Sequence, residues 1–197
     1  MKQKTDLRVI KTYSALINAF YQLLSEKKFE EITVNELCNQ AFVRRATFYK
    51  HFADKYEFFT FVVRNVFEQY TGDYEFEPDQ VKPLSFYMNI MENVLHFLTE
   101  RESMVRSFTE SSMYATLMNI FTDELSQEIK VFLEEDEKNG AVFSASAEIT
   151  ARFFTGAMIN CIKFWFASDR SLSEADLLKQ LEALLYSFNP HLSASCG

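Results

Sequence analysis

The sequence has few residues that turn or break a polypeptide chain. Only four glycines and three prolines occur among its 197 residues. This scarcity argues against sandwiches and barrels with many tight turns, and against nucleotide sites built on glycine-rich loops. It favours long helices with few connections. A content of 48% hydrophobic and 24% charged residues is that of a soluble globular protein.

Cysteine patterns and long apolar runs are also missing. Cys38, Cys161 and Cys196 are odd in number and widely spaced, so they indicate neither a disulfide framework nor a zinc site. No run of about 18 apolar residues could span a bilayer, and the first residues lack the apolar core of a signal peptide. We therefore expect a cytoplasmic protein with no membrane partner, no metal and no bound cofactor.

The formal net charge of −8 argues, taken alone, against a partner as anionic as DNA. The charge is unevenly distributed, however. Residues 1–55 hold ten basic and six acidic side chains, a net charge of +4, so the remaining 142 residues carry −12. A basic segment joined to an acidic one indicates that the basic segment contacts nucleic acid or an anionic membrane.

Helical spacing of apolar residues dominates the chain. Ile10, Tyr13 and Ile17 begin a series with steps of three and four residues, which is typical of a helix with one buried face. Capping-box patterns begin at Thr33 and Ser173, and Asn139-Gly140 is a strong helix stop. The patterns predict about nine helices, with a linker at 72–78. The helices are expected near 8–26, 33–41, 45–51, 54–71, 83–101, 102–108, 113–137, 144–167 and 173–189.

The second and third of these helices, separated by about three residues, form a predicted helix-turn-helix. Its last helix can enter a major groove because the groove is wide enough for one helix. Phe48 and Phe52 are expected to hold that helix on its neighbours. The outer face would then present donors suited to phosphates or base edges, namely Arg44, Arg45, Thr47, Tyr49, Lys50 and His51.

At these residues the sequence resembles a known family. It is similar to the DNA-binding domain of the TetR/AcrR family of bacterial regulators. The matching residues are Ile32-Thr33-Val34, Leu37-Cys38, Ala41, Val43, the block Thr47-Phe48-Tyr49-Lys50-His51-Phe52, and Asp54-Lys55. The similarity covers about residues 8–67. It implies an all-helical homodimer, more often a repressor than an activator, that a small-molecule effector releases from its operator.

The resemblance also assigns roles to individual residues. The family positions that bind DNA phosphates are matched here by Thr33, Tyr49, His51 and Lys55. The variable positions nearest base edges are matched by Arg44, Arg45, Ala46, Thr47 and Lys50. One residue departs from the family pattern. Phe42 stands in the turn where the family often has glycine, a residue favoured at positive φ. We therefore expect either local strain or a turn of different geometry.

The predicted C-terminal region offers weaker signals. In this family the corresponding helices enclose an effector cavity, and aromatic residues there would favour a flat or lipophilic molecule, with a cationic one tolerated by the acidic region. The candidate pocket residues are Phe86, Tyr87, His96, Phe97, Phe108, Tyr114 and Phe121. The last two helices carry more apolar surface than a hairpin needs and predict a four-helix dimer interface. Its candidate residues are Phe154, Ala157, Asn160, Cys161, Phe164, Leu177, Leu181 and Leu184.

The sequence thus predicts an all-α protein with a helix-turn-helix DNA-binding domain at 1–53, a connecting helix at 54–71 and a ligand-binding and dimerisation domain at 72–197. The expected partners are a palindromic double-stranded DNA operator, a second copy of the chain and a small-molecule effector. Two alternatives remain open. One is a TetR-like coactivator that acts through protein contacts. The other is a helical enzyme whose candidate site is His96 with Glu92; three histidines, four glycines and no nucleophile–base spacing argue against it. Glu92, His96 and Glu100 share one helix face and could bind a metal, although a salt-bridged helix surface is the simpler interpretation.

Overall fold

The structure is a computed structural model that describes residues 7–71, 80–168 and 171–188. Within these residues it is entirely helical, with nine α-helices, one 3₁₀ turn and no strand, which confirms the all-α prediction. The helices are α1 (Leu7–Glu26), α2 (Val34–Gln40), α3 (Arg45–Tyr49), α4 (Lys55–Thr71), α5 (Leu84–Thr99), α6 (Glu102–Thr109), α7 (Tyr114–Lys138), α8 (Ala147–Ala167) and α9 (Glu174–Phe188), and the 3₁₀ turn is Phe29–Glu31.

Local hydrogen bonds explain where several helices begin and end. The Thr33 hydroxyl accepts a bond from the Glu36 amide at 3.1 Å, and the Glu36 carboxylate accepts one from the Thr33 amide at 3.0 Å, so the predicted capping box is present. The Ser173 hydroxyl likewise accepts from the Asp176 amide. At the end of α7, Gly140 takes a φ of +96°, and the Ala141 amide donates to the carbonyl of Asp136.

Two features differ from the sequence prediction, and some predicted features fall outside the described residues. The 3₁₀ turn Phe29–Glu31 was not predicted, because three residues are too few to show a period. Helix α8 begins at Ala147, three residues later than predicted, because the hydroxyl of Ser146 caps it. The predicted linker at 72–78, the end of the last helix at Asn189 and Cys196 lie outside the described residues.

The chain divides into two compact units. Among the described residues, unit 1 contains 7–62 and 98–119, and unit 2 contains 63–71, 80–97, 120–168 and 171–188. Unit 1 therefore combines the helix-turn-helix with α6 and the start of α7. Its core is aromatic: Phe20, Phe48 and Phe58 are fully buried, and the ring centroids of Phe20 and Phe58 lie 5.5 Å apart. In addition, α6 packs on α1.

Unit 2 contains several groups of buried side chains, two of which include residues of α5. Trp165 of α8 packs with Met91 and Leu95 of α5 and with Leu177 and Leu181 of α9. Its indole nitrogen donates a hydrogen bond to the carbonyl of Leu172 at 2.7 Å. The second group is again aromatic and consists of Phe67, Phe86 and the partly buried Phe132. Packing around Trp165 thus joins α5, α8 and α9, and packing among the phenylalanine rings joins α4, α5 and α7.

A buried ionic cluster ties the segment before α5 to the end of α7. Asp136 is 0% exposed and Lys82 is 3% exposed. One oxygen of Asp136 accepts from the Lys82 backbone amide at 2.9 Å and lies 3.3 Å from its ammonium, while the other accepts from the Tyr87 hydroxyl at 2.7 Å. Burial and the neighbouring Asp136 carboxylate raise the pKa of the Tyr87 phenol. Tyr87 therefore stays a neutral donor.

None of the helices in the described ranges combines the length and the apolarity that crossing a membrane would require.

The buried cluster generates a stability prediction. Asp136→Asn removes the buried counter-charge of Lys82, and breaking such a pair costs about 3–5 kcal/mol. Urea denaturation should show a loss of that size in the free energy of unfolding. Glu135→Gln is the matched control, because Glu135 also pairs with Lys82 but its side chain is 58% exposed. The control should lose about 1 kcal/mol or less. Equal losses in both variants would contradict the assignment of Asp136 as the anchoring charge.

Candidate nucleic-acid interface

Helices α2 and α3 form the predicted helix-turn-helix. The turn between them is closed by backbone bonds, with the Phe42 amide donating to the carbonyl of Asn39 at 3.2 Å and the Val43 amide donating to that of Cys38 at 2.9 Å. Burial raises the pKa of the Cys38 thiol, as expected for a residue that fills the core. The turn is therefore set by backbone hydrogen bonds and by the burial of small side chains beneath it.

The inner face of α3 is anchored by aromatic rings, as the sequence predicts. Phe48 is fully buried, and its ring centroid lies 5.7 Å from that of Phe58 and 5.3 Å from that of Phe52. A helix of five residues has too few internal hydrogen bonds to be stable alone. Packing of Phe48 therefore fixes which side chains of α3 face outward.

The outer face of α3 brings most of the predicted DNA-binding residues together. Arg44, Arg45, Tyr49 and Lys50 are exposed, and Thr47 is half-buried. The guanidinium of Arg45 lies over the Tyr49 ring, 5.9 Å from its centroid, so these two side chains support each other. The exposed face thus carries three cations, a phenol and a hydroxyl within seven consecutive residues.

His51 lies at the edge of this face and is half-buried. Its Nδ1 is 3.1 Å from the hydroxyl of Tyr13 in α1, and the two rings meet edge to face at 5.3 Å between centroids. Tyr13 in turn packs on Phe61 of α4 at 4.6 Å. His51 therefore joins α1 to the end of the helix-turn-helix, and one nitrogen of its ring is already engaged.

Thr33 and Lys55, both predicted to grip phosphates, are placed differently from the α3 residues. Thr33 is exposed, but its hydroxyl is the N-cap of α2. The Lys55 ammonium donates to the carbonyls of Phe29, Glu30 and Ile32 at 2.8–3.2 Å. It also lies 4.7 Å from the centroid of the Phe29 ring. Three acceptors saturate the three donors of an ammonium.

The structure places Lys55 differently from a lysine whose ammonium faces a phosphate. Burial lowers the pKa of its ammonium, and the nearby carboxylates of Glu30 and Glu36 partly oppose that effect. Its donors hold the carbonyl end of the 3₁₀ turn rather than facing outward for a phosphate. The resemblance could not show this, because the carbonyls come from residues 23 to 26 positions earlier in the chain. Lys55 is a positioning residue in this structure.

Glu30, in the same 3₁₀ turn, was not singled out by the sequence. Its carboxylate accepts hydrogen bonds from the Ser111 hydroxyl and, at 2.8 Å, from the Ser112 amide at the start of α7. These bonds lower the pKa of Glu30 from 4.5 to about 2, with the Ser111 hydroxyl the largest cause. The turn Phe29–Glu31 therefore connects three parts of unit 1: α1, the first residue of α4, and the α6–α7 junction.

Phe42 confirms the expectation of local strain in the turn. Its φ is +54°, in the left-handed region, and its side chain is 97% exposed. The left-handed conformation costs a residue with a Cβ about 1–2 kcal/mol. The turn therefore keeps the geometry that glycine would allow, and Phe42 adopts it without gaining any burial.

The predicted pocket residues are divided between the two units. Phe86 and Tyr87 pack together in unit 2 at 5.2 Å between centroids, and the buried Phe97 and half-buried Phe121 belong to the same unit. Phe108 and Tyr114 instead pack on each other at 5.9 Å in unit 1. His96 is exposed. Phe86 is 2% exposed and part of the core, so it offers no free surface to a ligand.

The alternative site at His96 gains no support. Glu92, His96 and Glu100 are all exposed. Among the residues that the structure describes, no group of three or more His, Cys, Asp or Glu side chains is arranged to hold a metal ion.

The predicted dimer residues separate into buried and exposed groups. Leu177 and Leu181 are 6% and 2% exposed because they pack against Trp165 within unit 2, so they have no surface left for a partner. The other predicted residues have exposed or half-buried side chains: Phe154, Ala157, Asn160, Cys161, Phe164 and Leu184. Ile149 and Phe153, which the sequence analysis missed, are also exposed. Their spacing of four residues from each other and from Ala157 could have identified them.

Two family models match this chain. Residues 16–60 match a family model described as bacterial regulatory proteins of the tetR family. Residues 87–187, just over half of the chain, match a model described as a transcriptional regulator C-terminal region. The two matches fall on the helix-turn-helix and on most of the helices that follow it.

Individual proteins are similar over shorter or more divergent stretches. Two HTH-type transcriptional regulators from Bacillus subtilis (strain 168), both named as uncharacterized, match parts of the chain. YxbF is 40% identical over 57 residues and YdeS 32% identical over 94 residues. The matched regions are 28% and 48% of this chain but only 15% and 46% of those relatives. The solved structure of Lin0861 from Listeria innocua has a TM-score of 0.65 at 20% identity, over 95% of this chain and 96% of that chain. At that identity the likeness shows the fold alone.

The Glu30 contacts generate a pH prediction. A carboxylate whose pKa is lower in the folded state than its ordinary 4.5 stabilises the fold above that ordinary value, and this contribution is lost as the pH falls towards about 2. Glu30→Gln should therefore lower the free energy of unfolding at pH 7 and make it fall less between pH 5 and pH 2.5. Urea titrations across that range would measure both effects.

The control is Glu110→Gln, an exposed carboxylate in the same unit. It should leave the pH profile close to that of the wild type. A Glu30→Gln profile parallel to the wild-type profile would show that Glu30 is not anchored in solution as it is in the structure.

Proposed function

We propose, for a chain that belongs to the TetR family of bacterial transcriptional regulators, that it binds a palindromic DNA operator as a homodimer in the cytoplasm and leaves it when a small-molecule effector binds. The observation that carries the proposal is the division of α3 into two faces. Phe48 anchors the inner face, while Arg44, Arg45, Thr47, Tyr49 and Lys50 present donors on the outer one.

The outward residues suit two tasks. Arg44 and Arg45 stand at and just inside the N-terminal end of α3, the end that contacts base edges when a recognition helix enters the major groove. Arginine there can bind a guanine through two hydrogen bonds. Tyr49 lies at the other end of the helix and suits a phosphate contact. We also assign Lys50 to a phosphate, although the resemblance places it nearest base edges, because it follows the last residue of α3, at the end away from the bases.

Thr33 and His51 stay candidates for phosphate contacts, although the Thr33 hydroxyl already donates to the Glu36 carboxylate at 2.8 Å and the Tyr13 hydroxyl engages one nitrogen of the His51 ring. Lys55 supports the domain through the carbonyls of the 3₁₀ turn.

The exposed stripe on α8 supports the homodimer. Ile149, Phe153, Ala157, Asn160 and Phe164 recur at steps of three and four residues, and three of them are large apolar side chains more than half exposed. Such a stripe on one helix face is typical of a protein–protein interface. Leu184 of α9 is also exposed and could join it. A homodimer would supply the two recognition helices that a palindromic operator requires in successive major grooves, about 34–36 Å apart.

Effector binding and repression rest on the family alone. Within unit 2, Tyr87, Phe97 and Phe121 are the predicted pocket residues compatible with a ligand-lining role, and they favour a flat or lipophilic effector. The family consists of regulators, so we propose no catalytic function. Repression is proposed because it is the more common mode in the family.

The function can be tested by selecting genomic DNA fragments that purified protein retains, followed by sequencing. Enrichment of fragments that share an inverted repeat would support the proposal. Retention of no fragment above background at low salt, together with co-purification of a partner protein, would favour the coactivator alternative.

The two classes of outward residue predict different binding defects. On the selected operator, Arg45→Ala should cost about 1–3 kcal/mol, and the loss should disappear on operators changed at the contacted base pair. Lys50→Ala should weaken binding to all sequences and reduce the slope of log Kd against log salt by about one per phosphate contact. Fluorescence anisotropy across salt concentrations measures both. If both variants lost affinity in the same way on all sequences, this division of roles would be wrong.

The dimer proposal predicts the effect of a charge on the α8 stripe. Phe164 is 75% exposed, so Phe164→Asp should leave the fold intact but convert the dimer to a monomer, since a buried unpaired carboxylate is costly. Sedimentation velocity measures the state. Val142→Asp, at a side chain 73% exposed and outside the stripe, is the matched control and should remain dimeric. A dimeric Phe164→Asp variant would place the interface elsewhere.

A further inference from the structure

Phe42 is the one residue of the helix-turn-helix whose placement carries two costs and no visible benefit. Its backbone is in the left-handed region, at a φ of +54°, which glycine tolerates and phenylalanine does not. Its ring, 97% exposed, is in contact with water. Glycine at this position would remove both costs. Nothing among the described residues covers this side chain, so a binding partner that covers it would account for a large aromatic residue here.

The surroundings of Phe42 indicate what covers it. Together with Asn39, Arg44 and Arg45 it lines a shallow surface groove between α2 and α3 of about 400 Å³. Asn39, Arg44 and Arg45 are exposed, and two of them are cations. An uncharged lipid or a purely apolar protein surface would leave those cations without partners, whereas an anionic partner that also has apolar groups satisfies both kinds of side chain.

The major groove of DNA has this combination of groups. Phosphates line its edges, and the C5-methyl group of thymine is the apolar feature that projects into it. We propose that Phe42 packs against a thymine methyl group in each half of the operator, and so makes this regulator prefer thymine at one position next to the base pairs contacted by Arg44 and Arg45. This inference rests on the proposed DNA-binding function and adds a specificity-determining residue to it.

The proposal predicts a coupling between one side chain and one methyl group. Replacing each thymine of the selected operator in turn by deoxyuridine removes only the methyl. For wild-type protein, one position in each half-site should raise Kd about fourfold, the change expected for one buried methyl-sized group. Phe42→Ala should bind the unmodified operator correspondingly more weakly and should be insensitive to deoxyuridine at that position. Fluorescence anisotropy at fixed salt measures all four combinations.

Further variants separate the side chain from the backbone. Phe42→Gly removes the ring and the strain together, so it should melt at a higher temperature than Phe42→Ala but show the same loss of the deoxyuridine response. Phe42→Leu, which keeps an apolar side chain, should retain part of the response. Val142→Ala, an exposed apolar residue outside unit 1, is the control and should respond to deoxyuridine as wild type does.

The outcomes distinguish this inference from the function on which it rests. Wild-type protein that enriches no DNA fragment overturns both. Wild-type protein that binds its operator tightly, with Phe42→Ala responding to every deoxyuridine as wild type does, overturns the thymine contact alone. A weaker Phe42→Ala variant whose loss does not depend on any methyl group also overturns it, and would place the ring on the sugar–phosphate backbone. Only non-additivity at one thymine per half-site supports the proposal.

Discussion

Burial of Phe48 is the interaction on which the functional surface depends. Helix α3 has five residues, too few to hold its own conformation, and only packing of this ring against Phe52 and Phe58 fixes its rotation. That rotation decides which residues face outward. The exposure of Arg44, Arg45, Tyr49 and Lys50 is therefore a consequence of apolar packing on the opposite side of one helical turn. The aromatic core thus determines which polar side chains form the recognition surface.

The 3₁₀ turn Phe29–Glu31 has a comparable role within unit 1. Its carbonyls are held by the ammonium of Lys55 at the start of α4, and its Glu30 carboxylate is held by the α6–α7 junction. A segment of three residues is thus bound from two sides, by a cation at its backbone and by amide and hydroxyl donors at its side chain. The turn that precedes α2 is therefore held by both α4 and the α6–α7 junction.

In unit 2, α8 and α9 each have apolar residues on two faces. One face packs in the core of the unit and the other is exposed. On α9, Leu177, Leu181 and Leu185 follow steps of four and are buried, whereas Leu184 is on the outer side. On α8, Trp165 points into the unit and its neighbour Phe164 points out. The surface set remains apolar although water surrounds it in the monomer. A second copy of the chain would remove that surface from water, which is why the stripe supports a dimer.

Much of this molecule follows from the sequence alone. Helical spacing, the capping boxes and Asn139-Gly140 determine the helix limits to within a few residues, since these signals act between near neighbours in the chain. The division of α3 into Phe48 and its exposed cations follows for the same reason, and the strain at Phe42 follows from a side chain standing where glycine is favoured. Only the tertiary structure decided the places of Lys55, Glu30, Leu177 and Leu181. Their partners are distant in sequence, and the pattern of a single helix cannot show whether a lysine will meet a phosphate or three carbonyls, or whether a leucine will face its own core or a second subunit.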